Sequence, residues 1–589
     1  MSKLLKRSYY SNEINLSKLG EELVVNGWVS NKRNLGSLVF IDLRDREGII
    51  QLVFDEELNQ ELYEKASKLG REYVIGARGL VRKRSSVNPE LASGEVEIDV
   101  SELEVFSKSQ VPPIHVREDD GAKEELRLKY RYLDLRKKKN MDRLRVRSKI
   151  NKVLRDYLYQ QGFTEFETPI LNKTTPEGAR DYLVPSRVNP GKFYALPQSP
   201  QIFKQLLMIS GADRYYQITR CFRDEDLRAD RQPEFTQLDL EMSFVDQETI
   251  MELNEGLMAH LFKEIAGVEL ELPLRRMSYE EAMDRYGSDK PDTRFGLELL
   301  PLEEVFRDSD FNVFAKAAEE GKTIRGIFVE GEELFSNKEL KKLEKAARTY
   351  GAGGLATVIL EGDELKGSIS KFLGEKEIAS FKELSGNKNG TFFIVSDEKK
   401  VVQTVLGNLR GAIAKDKKLY DPKEFDLLWV IDFPAFHFDE ESGRHVAEHH
   451  PFTMLNKEDL DLLDAEPTSI RANSYDLVVN GFETASGSIR IHDSELQAKV
   501  FKTLGFTEEE VNQRFGFFIE ALKYGTPPHG GIAYGLDRLT MIFTETDNIR
   551  DVIAFPKSLQ ATCLMSEAPS YADDAQLAEL HIKVVKNEG

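Results

Sequence analysis

Hydrophobic and polar residues alternate along 235–244. Thr236, Leu238, Leu240, Met242 and Phe244 fall on one side, and Phe235, Gln237, Asp239, Glu241 and Ser243 on the other. A period of two is the mark of a strand with unlike faces. The run 216–222 also has strand character. Between the two lies a loop, 223–232, crowded with charge: Arg223, Asp224, Glu225, Asp226, Arg228, Asp230 and Arg231. The pattern predicts an antiparallel hairpin with one apolar and one polar face. A wet outer surface is the common reason for such a face. A polar floor beneath a ligand, with the charged loop folded over it, is the other, and the pattern alone leaves both open.

The first hundred residues carry shorter strand patterns at 23–29, 38–43, 49–54, 73–81 and 96–100, with a helical stretch at 56–69 between the third and fourth. That order predicts an OB-fold barrel, a scaffold that often holds oligonucleotides. Arg33 stands near its first turn, with Phe40 and Gln51 on the next two strands. An aromatic beside arginine and glutamine can stack and hydrogen-bond unpaired bases; equally, Phe40 can be barrel core.

The expected organisation is an α/β multidomain chain. Residues 1–106 form the barrel and 107–143 a linker broken at Val111-Pro112-Pro113. Residues 144–292 and 421–589 form two parts of one antiparallel-sheet domain, and 293–420 an α/β insertion. The first part should hold a helix from residue 144, a strand over 164–171 interrupted by Pro169, and a helix over 202–209 carrying Lys204 in an apolar run. Lys204 is then either a snorkelling surface group or a buried partner of an anion. In the second part, strands are expected at 427–432, 444–452 and 476–480. The chain closes with a strand, glycines and a helix start at 527–541. Glycine before a helix start lets a nucleotide approach the backbone.

Composition bounds these readings. With 589 residues, 40% hydrophobic and 31% charged, the chain is a soluble type with several cores. No apolar run reaches membrane-spanning length, and the N-terminal stretch lacks the apolar core of a secretory signal. Cys221 and Cys563 are the only cysteines, which excludes a disulfide framework and a cysteine zinc site, and a reducing cytoplasm is the expected compartment. A net charge of −20 argues against non-specific coating of nucleic acid. One basic tract stands out, from Arg127 to Lys149. It is either a solvated helix face or, following a possible oligonucleotide barrel, a path for a phosphate backbone.

The candidate chemistry is ionic. Arg223, Arg490 and Arg538 sit at predicted element ends; Glu177, Asp239, Asp476 and Glu483 are carboxylates in strands or loops; His449 and His450 are adjacent. There is no serine or cysteine with an evident base and no metalloprotease spacing. Such a set suits phosphoryl chemistry, in which arginines neutralise phosphates and carboxylates hold Mg2+.

These segments together resemble the three signature motifs of class II aminoacyl-tRNA synthetases. Pro169 matches motif 1, FRDED…RQPEFTQLDLEMSF motif 2, and GLDRL motif 3. TPEGARDYLVP, QSPQIFKQLLM, HHPFT and GWV…LGSLVFIDLRDREG are similar to the bacterial aspartyl-tRNA synthetase family. The resemblance spans nearly the whole chain and implies an enzyme that joins L-aspartate to tRNA(Asp) through aspartyl-adenylate. It implies ATP as substrate with Mg2+, and a cytoplasmic homodimer. It further implies that Glu177, Gln201, Lys204, Arg223, Asp239, His449 and Arg490 bind aspartate. ATP would meet Arg223, Glu225, Gln232, Phe235, Glu483, Gly535, Leu536, Asp537 and Arg538, with adenine between Phe235 and Arg538. Asp476 and Glu483 would hold the metal, Arg223 and Arg538 would be catalytic, and Arg33, Phe40 and Gln51 would read the anticodon. Asparaginyl and lysyl relatives share the barrel and the motifs; Lys204 with Arg490 favours an acidic amino acid. Leu35 stands where members that also charge tRNA(Asn) often carry histidine, so strict tRNA(Asp) charging is expected.

Overall fold

The computed structural model describes residues 5–174, 178–331, 335–362 and 364–585. The chain divides into two compact units, Met1–Arg145 with Ile553–Ser570, and Val146–Val552 with Tyr571–Gly589.

The first unit holds the barrel. Strands Glu22–Leu35, Leu38–Arg44, Ile49–Asp55, Val74–Lys83 and Val96–Ser107 close on themselves in the order first, second, third, fifth, fourth. Helix Gln60–Ser67 lies between the third and fourth, capped by the Asn59 side chain. Alternating residues such as Val25, Val39, Ile41, Leu52, Ile75 and Ile98 fill the interior. Both the order of elements and the alternation agree with the OB-fold expected from sequence.

The basic tract in this unit is a solvated face only in part: Lys129, Lys138 and Lys139 are exposed, whereas Arg131, Lys137 and Arg143 are buried. Arg131 is buried, paired with Asp134 at 2.8 Å, and donates to the carbonyls of Ile553 and Ala554. Lys137 is buried between Asp120 and Asp134 at 3.1 and 2.8 Å. Arg136 bonds Glu72 at 2.7 Å and stands over the Trp28 ring. Buried ion pairs of this kind fix geometry and leave those cations with little to offer a phosphate backbone.

Among the described residues the second unit contains an eight-stranded sheet. Its spatial order is Arg275–Ser278, Leu427–Ile431, Ser474–Val479, Phe482–Ile489, His529–Gly535, Glu234–Ser243, Arg214–Phe222, Thr164–Glu165. Pairing is antiparallel except at the two outer edges. On one face Leu238, Leu240, Trp429, Leu477, Ile532 and Tyr534 pack with Leu154, Leu158, Leu257 and Phe262. Helix Gln247–Ala266, which contributes the last two, is capped by Asp246 and ends on Gly267.

The hairpin has the two faces its alternation predicts, with one exception. Phe244 is 76% exposed with a positive φ of 59°, so the strand ends at Ser243 and Phe244 turns away from the core. The strand expected over 164–171 is only Thr164–Glu165: Pro169 has no N–H to give a ladder. The strand expected over 444–452 ends at Ala447, and both histidines lie in the turn beyond it. The helix expected from residue 144 runs over Lys138–Gln160.

A separate five-stranded sheet follows the order Leu300–Pro301, Thr323–Glu330, Gly390–Asp397, Ala356–Glu361, Glu364–Lys366. Alternate residues feed two cores, one on each face. Ile327, Phe393 and Val395 pack with Leu343 and Val402; Ile324, Phe392 and Ile394 pack with Phe306 and Phe381.

Candidate active site

The polar side of the large sheet is the floor of a cavity of about 460 Å3. A single rung crosses it: Gln217, Asp239, Ala533, Ser486 and Asp476 are successive neighbours across five strands. Paired residues share a face, so the alternation that starts at Phe235 delivers Gln237 and Asp239 to this floor, and Glu241 one step deeper.

Glu241 is the hub. It is fully buried, and Arg490 Nε and Nη2 donate to its two oxygens at 2.9 and 3.1 Å. Lys204 Nζ lies 3.4 Å from Glu241 Oε2 and 3.1 Å from Asp239 Oδ1. Arg490 Nη1 also donates to Ser488 Oγ at 2.5 Å and to His450 Nε2 at 2.8 Å. An arginine only donates, so that nitrogen of His450 accepts and the ring is neutral. Burial, with Arg490 and His449 adding to it, holds His450 well below its ordinary value. Burial pushes the Glu241 carboxyl up, but Arg490 and Lys204 outweigh it and keep the group ionised below its usual range. Asp239 is pushed up by burial, which its contact with Lys204 does not cancel. Lys204 is thus the buried anion partner rather than the snorkelling group.

The glycine at 531 makes this arrangement possible. A Cβ there would stand 2.0 Å from Glu241 Oε2 and 2.2 Å from the Leu240 carbonyl. Any side chain would displace the buried carboxylate that holds both cations.

The other half of the cavity is built from the charged loop and the closing helix. Arg223 lies over the Phe235 ring, 5.0 Å from its centre, a cation–π contact. Glu225 is tied to Arg231 at 3.1 Å, and Gln232 is buried at the end of the loop. Arg538 bonds the Glu483 carbonyl and stands 3.5 Å from Asp230. Gly535 lines the cavity and caps helix Leu536–Phe543. Asp537 is turned inward: Arg147 takes one oxygen, and the Thr236 N–H donates to the other at 2.8 Å, so the helix start is pinned to the hairpin.

Asp476 and Glu483 face the cavity from neighbouring strands. Burial and the charge of Asp476 push the Glu483 carboxyl up. His449 Nε2 is 3.6 Å from Asp476 Oδ1; burial lowers this imidazole, but Asp476, Glu483 and Glu448 together hold it above its ordinary value. No cluster of three or more metal-ligand side chains occurs among the described residues. Two crowded carboxylates, one with a buried oxygen lacking a donor, fit a divalent cation that also takes oxygens from a substrate phosphate.

Gln201, Lys204, Arg223, Glu225, Gln232, Phe235, Asp239, His449, Asp476, Glu483, Arg490, Gly535, Asp537 and Arg538 all line this one cavity. Leu536 packs in the apolar core instead, and Glu177 lies outside the described residues. Polar atoms of Gln201, Arg223, Asp239, His449 and Asp476 are buried there without a hydrogen-bond partner among the described residues. Buried polar atoms of this kind are the natural contacts of a polar ligand. The sequence reading left many lining residues without a role, Ser488, His450 and Asp289 among them. Ser488 stands in a run of small residues and His450 beside its better-placed neighbour; Asp289 gave no signal at all. In the barrel, Arg33 donates to Gln51 Oε1 at 3.0 Å, Phe40 is half-buried opposite Arg33, and Leu35 is 64% exposed at the tip of the first hairpin.

The family of class II tRNA synthetases (D, K and N) matches residues 123–559, and the OB-fold nucleic acid binding domain family matches residues 23–106. The chain therefore belongs to the class II aminoacyl-tRNA synthetases, ligases that form aminoacyl-tRNA. Within that class, it is 53% identical to the aspartate–tRNA(Asp/Asn) ligase of Caldanaerobacter subterraneus, over 98% of either chain. It is 51% identical to the aspartate–tRNA ligase of Clostridium perfringens, over 99% of this chain and 98% of the relative. In fold it is similar to the aspartyl-tRNA synthetase of Entamoeba histolytica, with a TM-score of 0.58 at 20% identity, covering 94% of this chain and 91% of that one. Among the described residues no helix is long and apolar enough to cross a membrane.

Proposed function

We infer that the cavity activates L-aspartate with ATP and passes it to the 3′ end of tRNA(Asp). The observation that carries this reading is the orientation of Lys204 and Arg490 on buried Glu241. Four of the five guanidinium N–H groups are engaged, on Glu241, Ser488 and His450, leaving one on Nη2; Lys204 also keeps one after Asp239 and Glu241. Two fixed donors suit a carboxylate side chain. An asparagine amide would present its own donors to them and leave the cations unsatisfied.

In the first step the aspartate carboxylate attacks the α-phosphorus of ATP; the bond to pyrophosphate breaks as that to the aspartyl oxygen forms. Arg223 supplies positive charge where the α-phosphate becomes more anionic, and Arg538 holds the nucleotide from the helix start. Asp476 and Glu483 would hold Mg2+, which when bound neutralises phosphate charge. In the second step the terminal ribose hydroxyl of the tRNA attacks the adenylate carbonyl and AMP leaves. Glu177 meets the α-ammonium in this reading, and the segment around Pro169 joins two copies as a homodimer, checked by sedimentation.

The barrel reads the anticodon through Arg33, Phe40 and Gln51. Phe40→Ala is expected to raise the KM for tRNA about tenfold or more, the worth of one stacked base, and to leave ATP–pyrophosphate exchange unchanged. Relatives carry names of both the strict and the dual kind; in this reading Leu35, exposed at the tip of the first hairpin, sets the tRNA choice. Charging purified tRNA(Asp) and tRNA(Asn) with labelled aspartate tests the reading. Aspartylation of tRNA(Asp) alone is expected; equal charging of the two would refute the strict form, and charging of neither the whole reading.

A further inference from the structure

The wall that carries Asp476 and Glu483 has a third contributor, and it comes from a loop no motif covers. Helix Tyr279–Tyr286 ends on Gly287, and the chain continues through Ser288, Asp289 and Lys290. Asp289 lines the cavity together with Asp476 and Glu483. Lys290 Nζ bonds Asp289 Oδ2 at 2.7 Å. Asp289 is its one ion-pair partner among the described residues; the charges of Glu483 and Asp476 act on its ammonium from farther off, and Arg538 and His449 are the other cations near these two carboxylates.

This loop is held by the helix that closes the five-stranded segment, Lys399–Lys417. Arg410 of that helix is buried, and its guanidinium donates to the carbonyls of Asp292, Gly296 and Leu297 at 2.8, 2.5 and 3.2 Å. Its charge is also set against the rings of Tyr286 and Phe295, at 4.8 and 4.6 Å. The two backbones touch through glycines. A Cβ on Gly287 would meet the Gln403 carbonyl at 2.3 Å, and one on Gly407 would meet the Gly287 carbonyl at 2.2 Å. Gly287 also takes a φ of +65°, which other residues rarely adopt. The insertion thus grips the loop on both sides of Lys290, from glycine contact at 287 to carbonyl capture at 292–297.

We propose that Lys290 is a positioning residue for the pyrophosphate end of ATP, set at the Asp476–Glu483 wall by Arg410 of the insertion. This rests on the reading of the cavity as an adenylate site. Asp476 and Glu483 would hold the metal of the triphosphate, and a cation paired with Asp289 on the same wall is placed to meet the phosphate charge gathered there. Lys290 therefore helps to fix the β- and γ-phosphates and has no part in holding adenine or aspartate. Arg410 reaches no ligand and acts through the loop.

The test is calorimetric titration of the full-length protein with AMP, and separately with Mg2+ plus α,β-methylene ATP. Wild type should bind both. Lys290→Ala should weaken the triphosphate analogue about tenfold, near the worth of one charge-assisted contact, with AMP affinity unchanged; Lys290→Arg should restore it. Arg410→Met should weaken the analogue in the same selective way, and a thermal melt shows whether that variant is folded. Wild-type affinity for the analogue in Lys290→Ala, or equal losses for AMP and analogue, would overturn the proposal while leaving the adenylate site standing. A wild type that binds neither would overturn both.

Discussion

Replacing Arg223 with alanine should reduce aspartate-dependent ATP–pyrophosphate exchange by about a thousandfold, the order expected when a preorganised cation at a transferring phosphoryl group is removed. Arg223 leads the charged loop, lines the cavity and lies over Phe235. Among the described residues it pairs with no carboxylate, and its Nε is buried without a hydrogen-bond acceptor. A group placed this way contributes little that unfolding would lose. The thermal midpoint of the variant should therefore stay close to that of wild type while the exchange rate collapses. A large fall in both would instead assign Arg223 to the structure of the hairpin.

Arg490→Met should damage both. Arg490 is the bidentate partner of Glu241, and both side chains are almost wholly buried. Its removal leaves Glu241 with Lys204 alone, in a setting too dry to solvate a carboxylate. Breaking such a pair costs about 3–5 kcal/mol, seen as a lower midpoint in denaturant. Lys204 is then drawn toward Glu241 and away from the ligand, so the KM for aspartate should rise steeply. Arg490→Lys keeps the charge but not the planar fork, and should recover much of the stability and little of the aspartate affinity. The pH dependence has a definite sign. Glu241 is held below its ordinary value, so its contribution is complete above the normal carboxylate range and is lost only as the pH falls through its depressed value. The Glu241→Gln variant, which lacks this group, should show a shallower loss of stability with acid than wild type.

The sequence made the barrel and the site's hairpin legible because both rest on local patterns. Alternation put Leu238 and Leu240 on one face and Gln237 and Asp239 on the other, and the folded sheet turns the first to the core and the second to the cavity. It also placed Glu241 on the polar face, but not as the anchor of Lys204 and Arg490, because that role depends on residues that meet only in the folded chain. The two histidines show the same limit. They are neighbours in sequence, yet His449 faces Asp476 while His450 faces Arg490, and their protonation is driven in opposite directions. The basic tract was legible only in part, for a related reason: Lys129, Lys138 and Lys139 are exposed, but Arg131 and Lys137 are not. A run of lysines and arginines reads as solvated until its partners are known, and here Asp120, Asp134 and Glu72 come from elsewhere in the chain or from the opposite side of a turn. Phe244 continued the alternation in sequence and left it in space, since a positive φ ends the strand one residue early. Asp289 and Lys290 lay outside every pattern, because their place depends on the distant Arg410.

The central claim is that Lys204 and Arg490, locked on Glu241, make this an aspartate-activating site. ATP–pyrophosphate exchange with each amino acid in turn addresses it without involving tRNA. Exchange with aspartate and with no other amino acid is the predicted result; exchange driven by asparagine or lysine, or none with aspartate, would contradict it.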